Sequence, residues 1–155
     1  VVPALAYILS DEASGSWFGK RLLSDHLYHR LDPVVESDFI KTFGFSKEEI
    51  IHRVYKEPNA NVFLASFMTF IGRHQEIPQI ISLLEEGFQA FVDVHIKCYE
   101  NYQEVPVHFV GSVAFHFQSV LRHVCGREGI EVGKIIKRPI DGLADYHVKY
   151  ILANV

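Results

Sequence analysis

Apolar residues recur three and four positions apart through most of the chain, which is the spacing of an amphipathic helix. Five stretches show this spacing: 17–27, 50–55, 63–71, 80–96 and 113–124. Helix start signals support the assignment at three places. Ser14 or Ser16 suits the cap of the first helix, Asp32-Pro33 suits an opening turn, and Ser46-Lys47-Glu48-Glu49 matches a capping box.

Three segments lack the helical spacing and are predicted as strands. Residues 1–9 form a short apolar run that indicates the end of a buried strand, 105–110 are apolar on both faces, and 130–137 alternate. The last two strands flank a helix, and this order predicts parallel strands joined by a right-handed crossover. A closing helix is predicted over 139–153. The predicted fold class is therefore helix-rich α/β with a partial parallel sheet, in one domain.

Composition narrows the class of protein. Apolar residues make up 48% of the chain, enough for a proper core, while the net charge is −4. Binders of nucleic acid or of anionic membranes normally carry a basic patch, and no run of Lys and Arg here exceeds two residues. No apolar run reaches the roughly 20 residues that span a bilayer, and no signal-peptide pattern is present. We expect a cytoplasmic protein in which Cys98 and Cys125 are free thiols.

Two loops carry residues suited to binding. The acidic loop, residues 10–16, places Asp11 beside Glu12, and ionised carboxylates can orient the hydroxyls of a ligand. A solvated acidic turn, or charge placed favourably at a helix N-terminus, would look the same. Gly111-Ser112 stands where a strand turns into a helix, so a ligand could approach the backbone there, although a simple tight turn is the alternative. The nine histidines show no metal-ligand pattern.

These pieces together resemble the N-acetylglucosamine kinase / BadF-type ATPase family of the actin-like superfamily. The segment 6–17 looks like the family's Gly-Asp-Glu-Gly-Ser motif with its following helix. The segment 108–113 looks like the family's late Val-Gly-Ser strand and turn, and 133–143 is similar to the ending of a bacterial branch. The order and spacing of the motifs agree over essentially the whole chain.

The resemblance implies a two-lobed kinase with ribonuclease-H-like lobes, in which ATP and Mg²⁺ occupy the cleft and an amino sugar accepts the phosphoryl group. It implies two sets of binding residues in this chain. Those expected at the sugar are Asp11, Glu12 and Gly15. Those expected at the nucleotide are Ala65, Gly111, Ser112 and His116.

The resemblance also implies that residues 1–155 are the C-terminal lobe and that the N-terminal lobe, with the catalytic base and the first phosphate loop, is absent from this sequence. Phosphoryl transfer depends on positioning and charge stabilisation, so we expect the half by itself to be inactive, without catalytic or metal-binding residues of its own. Its expected partners are the N-terminal lobe, ATP and the amino sugar, and a homodimer is compatible with the resemblance.

The acidic loop departs from the family pattern at three positions. Ala6, Ser10 and Ala13 stand where family members carry glycine, and these changes bear directly on sugar affinity. Two other functions therefore stay open: a degenerate lobe that senses a sugar or serves in assembly without catalysis, and an ATPase coupled to another process.

Overall fold

The computed structural model describes residues 2, 3 and 5–146. The chain divides into two compact units, Val1–Glu100 and Asn101–Val155. The first unit contains helices α1 (Ala6–Leu9), α2 (Gly15–Leu27), α3 (Pro33–Phe43), α4 (Lys47–Tyr55), α5 (Ala60–Ala65), α6 (Met68–Arg73) and α7 (Pro78–Phe91), and a π-helical turn, Val92–Ile96. The second contains β1 (Val107–Val110), α8 (Ser112–His116), α9 (Gln118–Arg127), β2 (Val132–Ile136) and α10 (Pro139–Tyr146).

Helix starts in the first unit follow from local sequence. The Ser14 hydroxyl accepts the Trp17 N–H and caps α2, and the Asp32 carboxylate caps α3 with Pro33 in its first turn. Ser46 and Glu49 form the predicted capping box at α4. Because each cap satisfies a backbone N–H that the helix leaves free, the predicted starts are confirmed.

The core of the first unit is aromatic and lies around α2. Phe18, Phe39 and Phe67 are completely buried, and Phe39 stacks on Phe67 with ring centroids 5.8 Å apart. Helix α2 packs against α5 at very short range, because a Cβ atom at Gly19 would overlap the carbonyl oxygen of Leu64. The glycine at this position allows the backbones of the two helices to touch.

Helix α7 passes directly into the π-helical turn, which we call the π turn. Its buried residues recur every four positions and continue through the turn: Ile80, Leu84, Phe88, Val92 and Ile96. The Lys97 N–H donates to the Val92 carbonyl at 2.9 Å, a bond that spans five residues instead of four. The predicted helix over 80–96 is therefore α-helical only as far as Phe91.

The second unit contains a two-stranded parallel sheet. Phe109 pairs with Ile135 and Val110 with Ile136, and α8 and α9 connect the strands. Its buried residues are Phe109, Phe117, Leu121, Val124, Cys125 and Ile130. The predicted helix-rich α/β class with a partial parallel sheet is confirmed. No helix within residues 5–146 is long and apolar enough to cross a membrane.

The strand predicted over 1–9 is wrong. Residues Ala6–Leu9 form the short helix α1, and Ile8 and Leu9 are 69% and 74% exposed. A short apolar run cannot be assigned to a strand or to a helix by periodicity alone, and this one is not buried as the prediction required. The predicted helices over 63–71 and 113–124 are each two helices, which meet at 66–67 and at Phe117. The part of the closing helix beyond Tyr146 lies outside the described residues.

Candidate functional site

The acidic loop closes on the start of α2 through its serines. The Ser16 hydroxyl, itself buried, donates to Asp11 Oδ2 at 3.0 Å and lies 2.9 Å from the Ser14 hydroxyl. The Ser14 N–H donates to the Asp11 carbonyl at 3.0 Å. Asp11 is therefore held at both its backbone and its side chain, although its side chain is exposed.

Glu12 points inward, unlike its neighbour Asp11. Its Oε2 accepts the Ser10 hydroxyl at 2.9 Å and lies 3.0 Å from His95 Nε2 on the π turn. Burial alone would raise the pKa of Glu12. Hydrogen bonds from its own backbone N–H, His95 and Ser10 outweigh that effect and hold the pKa below the ordinary value of 4.5. The Glu12 carboxylate is thus ionised, and it is engaged by the protein.

The backbone of this region adopts the left-handed conformation that favours glycine. Ala6 has φ 59°, Asp11 φ 74° and Ala13 φ 58°. Ser10, in contrast, is extended with φ −148°. Of the three positions where the resemblance implies glycine, two therefore have a glycine-like conformation with an alanine in place.

Gly15 and Ala65, expected at the sugar and at the nucleotide, are neighbours in the first unit. A Cβ atom built on Gly15 would lie 3.0 Å from Ala65 Cβ and 3.2 Å from Met68 Cγ. The absence of a side chain at Gly15 lets α5 lie against the first residue of α2. The structure thus brings Ala65 to the start of α2, where the acidic loop ends.

The other nucleotide candidates lie in the second unit. Gly111 follows β1 with φ 144°, and its N–H donates to the Ile136 carbonyl at 2.9 Å. Its carbonyl accepts the Phe115 N–H at 3.1 Å, so the residue joins the sheet to α8. Ser112 and His116 are the first and last residues of α8 and are both exposed. The predicted strand–glycine–helix arrangement is confirmed.

His95 was not predicted from the sequence to be part of the site. The pattern placed it on the apolar face of the helix over 80–96, and a polar side chain at such a position usually has a hydrogen-bonding partner. A histidine on the apolar face was therefore the signal that the sequence offered. Its partner is Glu12, 83 positions away, and no local motif could identify that residue.

Two further observations concern ligands. Within residues 5–146 no group of three or more His, Cys, Asp or Glu side chains could hold a metal ion. A groove of about 370 Å³ lies between α2 and α4, with Leu23, Ile50 and Leu64 among its lining residues. None of the seven predicted site residues lines this groove.

Comparison with known proteins finds similarity among solved structures. No family model matches the sequence, and no curated protein matches it. A solved structure from Porphyromonas gingivalis, described as a "Putative N-acetylglucosamine Kinase", is similar to the chain with 35% sequence identity and a TM-score of 0.90. The alignment covers 96% of this chain and 52% of that one, so the chain spans about half the length of that protein. The predicted resemblance is confirmed: in sequence and in fold, this chain is related to a protein of about twice its length that is described as a "Putative N-acetylglucosamine Kinase".

Proposed function

We propose that this chain is the sugar- and nucleotide-binding part of an ATP-dependent amino-sugar kinase, and that Asp11 receives the sugar hydroxyls. The observation that carries the proposal is the state of Asp11: an exposed carboxylate held in a fixed turn by the Ser16 hydroxyl and the Ser14 N–H. The similarity to the Porphyromonas gingivalis protein supports the choice of substrate class.

The chemistry of the acidic loop fits a polyhydroxylated ligand. An ionised carboxylate has about four lone-pair sites, and the Ser16 hydroxyl uses one of those on Asp11 Oδ2. Asp11 Oδ1 accepts no side-chain hydrogen bond from the described residues. Because the carboxylate is already oriented, little conformational entropy is lost when it accepts hydroxyl donors.

For the nucleotide we propose contacts with Gly111, Ser112 and His116 in the second unit, and Ala65 of the first unit stays a separate nucleotide candidate. The absence of a side chain at Gly111 supports this assignment, since no other atom lies within 4 Å of where its Cβ would be. Such open space beside a strand-to-helix turn lets a ligand approach the backbone. The resemblance implies Mg²⁺ as well, but no group of residues between 5 and 146 fits a metal ion, so we assign none of them to it.

We propose that catalysis requires the remaining half of such a kinase. The chain covers 52% of the related protein, and we assign the catalytic base to none of the seven candidate residues. Positioning and charge stabilisation supply almost all of the catalysis in phosphoryl transfer, so half of a binding cleft is expected to be inactive.

A non-catalytic sugar-sensing lobe is the competing function, because alanine replaces glycine at positions 6 and 13. The left-handed backbone at both alanines favours a retained loop over a degenerate one. A loop under no selection for shape would be expected to relax away from a conformation that costs energy for alanine.

The test is an ADP-release assay with N-acetylglucosamine, performed on the chain expressed with the rest of its reading frame. Asp11→Asn should raise the KM for sugar roughly 10–150-fold, because hydrogen bonds to charged groups are worth about 1.5–3 kcal/mol, while the KM for ATP changes little. The control is Asp38→Asn, an exposed carboxylate in an ion pair with Arg73. A protein that binds the sugar but releases no ADP would favour the sensing lobe; one whose Asp11→Asn variant keeps its sugar KM would exclude Asp11 from the site.

A further inference from the structure

The π turn places one polar side chain against the acidic loop. His95 lies in this turn, and its ring packs on the Phe91 ring with centroids 5.0 Å apart. A π turn is less favourable than a continued α-helix and is found frequently at functional sites, where it redirects a side chain. The side chain redirected here is His95, whose Nε2 lies 3.0 Å from Glu12 Oε2.

The His95–Glu12 contact is partly shielded from water. The two side chains are 29% and 17% exposed, whereas another His–Glu pair of this unit, His52–Glu57, is 64% and 49% exposed with a longer separation of 3.2 Å. Shielded hydrogen bonds to a charged group are stronger than exposed ones, which contribute little to stability. The His95 contact is therefore a real constraint on the loop, and the His52 pair provides a matched comparison.

The backbone around Glu12 needs such a constraint. The residues on either side of it, Asp11 and Ala13, both have left-handed φ values. Non-glycine residues stay in that region only when the surrounding contacts compensate for the cost. Glu12 lies between them and has two side-chain contacts, from Ser10 and from His95. The contact from His95 connects the loop to a different helix.

We propose that His95 is a positioning residue: it holds Glu12 from the π turn and thereby keeps Asp11 in the conformation that receives the sugar. That Asp11 receives the sugar rests on the proposed function, whereas the hold of His95 on Glu12 concerns the loop alone. His95 is not assigned to the chemistry, because its Nε2 already faces the Glu12 carboxylate.

The first experiment measures amide hydrogen exchange in the chain. Two N–H groups report on the closed loop: that of Ser14, bonded to the Asp11 carbonyl, and that of Trp17, bonded to the Ser14 hydroxyl. In His95→Ala both should exchange about 10–100-fold faster, the factor expected for the loss of a hydrogen bond to a charged group. His95→Gln, which keeps a donor, should restore much of the protection, and His52→Ala should leave both rates unchanged.

A double-variant comparison distinguishes the loss of this one contact from a general loss of stability in His95→Ala. If His95 acts through Glu12, the double variant should exchange at about the same rate as Glu12→Ala alone, which also loses the Ser10 hydrogen bond and should exchange at least as fast as His95→Ala. Additive effects in the double variant, unchanged protection in His95→Ala, or an equal change in His52→Ala would each overturn the proposal.

The second experiment separates this inference from the proposed function. N-acetylglucosamine is titrated into the protein carrying the rest of its reading frame, and the KM values for sugar and ATP are measured for His95→Ala and His95→Gln. We expect the sugar KM to rise about tenfold or more in His95→Ala, the ATP KM to stay near the wild-type value, and His95→Gln to recover. Equal sugar binding by wild type and His95→Ala overturns the positioning role. A wild type that binds no sugar refutes the proposed function, while the exchange rates still decide whether His95 orders the loop.

Discussion

The two substitutions Ala13→Gly and Ser10→Gly should change stability in opposite directions, although the resemblance implies glycine at both positions. Ala13 has φ 58°, a conformation that costs an L-residue about 1–2 kcal/mol and glycine nothing. Ser10 is extended with φ −148°, and its hydroxyl donates to Glu12 Oε2 at 2.9 Å. Glycine therefore relieves a cost at position 13 but only removes a contact at position 10.

The expected magnitudes follow from these geometries. Glycine loses more conformational entropy on folding than alanine, a cost of about 0.5–1 kcal/mol, which offsets part of the relief. Ala13→Gly should therefore raise the free energy of unfolding by about 0.5–1 kcal/mol, or about 2–6 °C in Tm for a unit of this size. Ser10→Gly should lower it by about 2–4 kcal/mol, from the same entropy cost and the loss of a hydrogen bond to a charged group.

Urea unfolding followed by the fluorescence of Trp17 measures both effects. Trp17 is the single tryptophan of the chain and directly follows the acidic loop. Ala90→Gly, within helix α7, is the control, and its free energy of unfolding should fall by about 1 kcal/mol. The reasoning is refuted if Ala13→Gly unfolds at lower urea than wild type, or if Ser10→Gly is as stable as wild type.

Three further outcomes follow from the packing and the titrating groups. Gly19→Ala should lower the free energy of unfolding, measured in urea, by about 1–3 kcal/mol, because the new Cβ would overlap a carbonyl oxygen of α5. Gly126→Ala in α9, where the space around the residue is open, should raise it by about 0.5–1 kcal/mol. Because folding lowers the pKa of Glu12, the stability that its carboxylate adds is fully present above the ordinary value of 4.5 and is lost as the pH falls through the folded-state pKa. The difference in Tm between wild type and Glu12→Gln should therefore shrink in that acidic range and stay constant near pH 7. Burial raises the pKa of the Cys125 thiol to about 11, so a thiol reagent at pH 8 should label exposed Cys98 quickly and Cys125 only after unfolding; rapid labelling of both thiols would contradict the buried position.

Features that depend on neighbouring residues were predictable from the sequence. The cap at Ser14 and the capping box at Ser46 each join residues three positions apart, so the pattern contains both partners. The parallel sheet followed from the order of strand, helix and strand. The turn at Gly111 followed from a glycine placed directly after a strand.

Features that depend on distant contacts were not predictable. The His95–Glu12 contact joins the two ends of the first unit, and the division of the 63–71 helix into α5 and α6 has no local break signal such as proline. The apolar run 1–9 has no periodicity that separates a strand from a helix, and its exposure in α1 could not be read from hydropathy. The left-handed φ of Ala13 was suggested only by the family's glycine.

The contact between α2 and α5 has a consequence for altering ligand preference. A Cβ atom at Gly19 would overlap the Leu64 carbonyl oxygen, and one at Gly15 would crowd the side chains of Ala65 and Met68, so a larger residue at either position requires its neighbours to shift. The acidic loop and Ala65 therefore lie beside a helix contact that leaves little room for a larger side chain. A library intended to alter the ligand preference proposed for the acidic loop should therefore leave both glycines as they are.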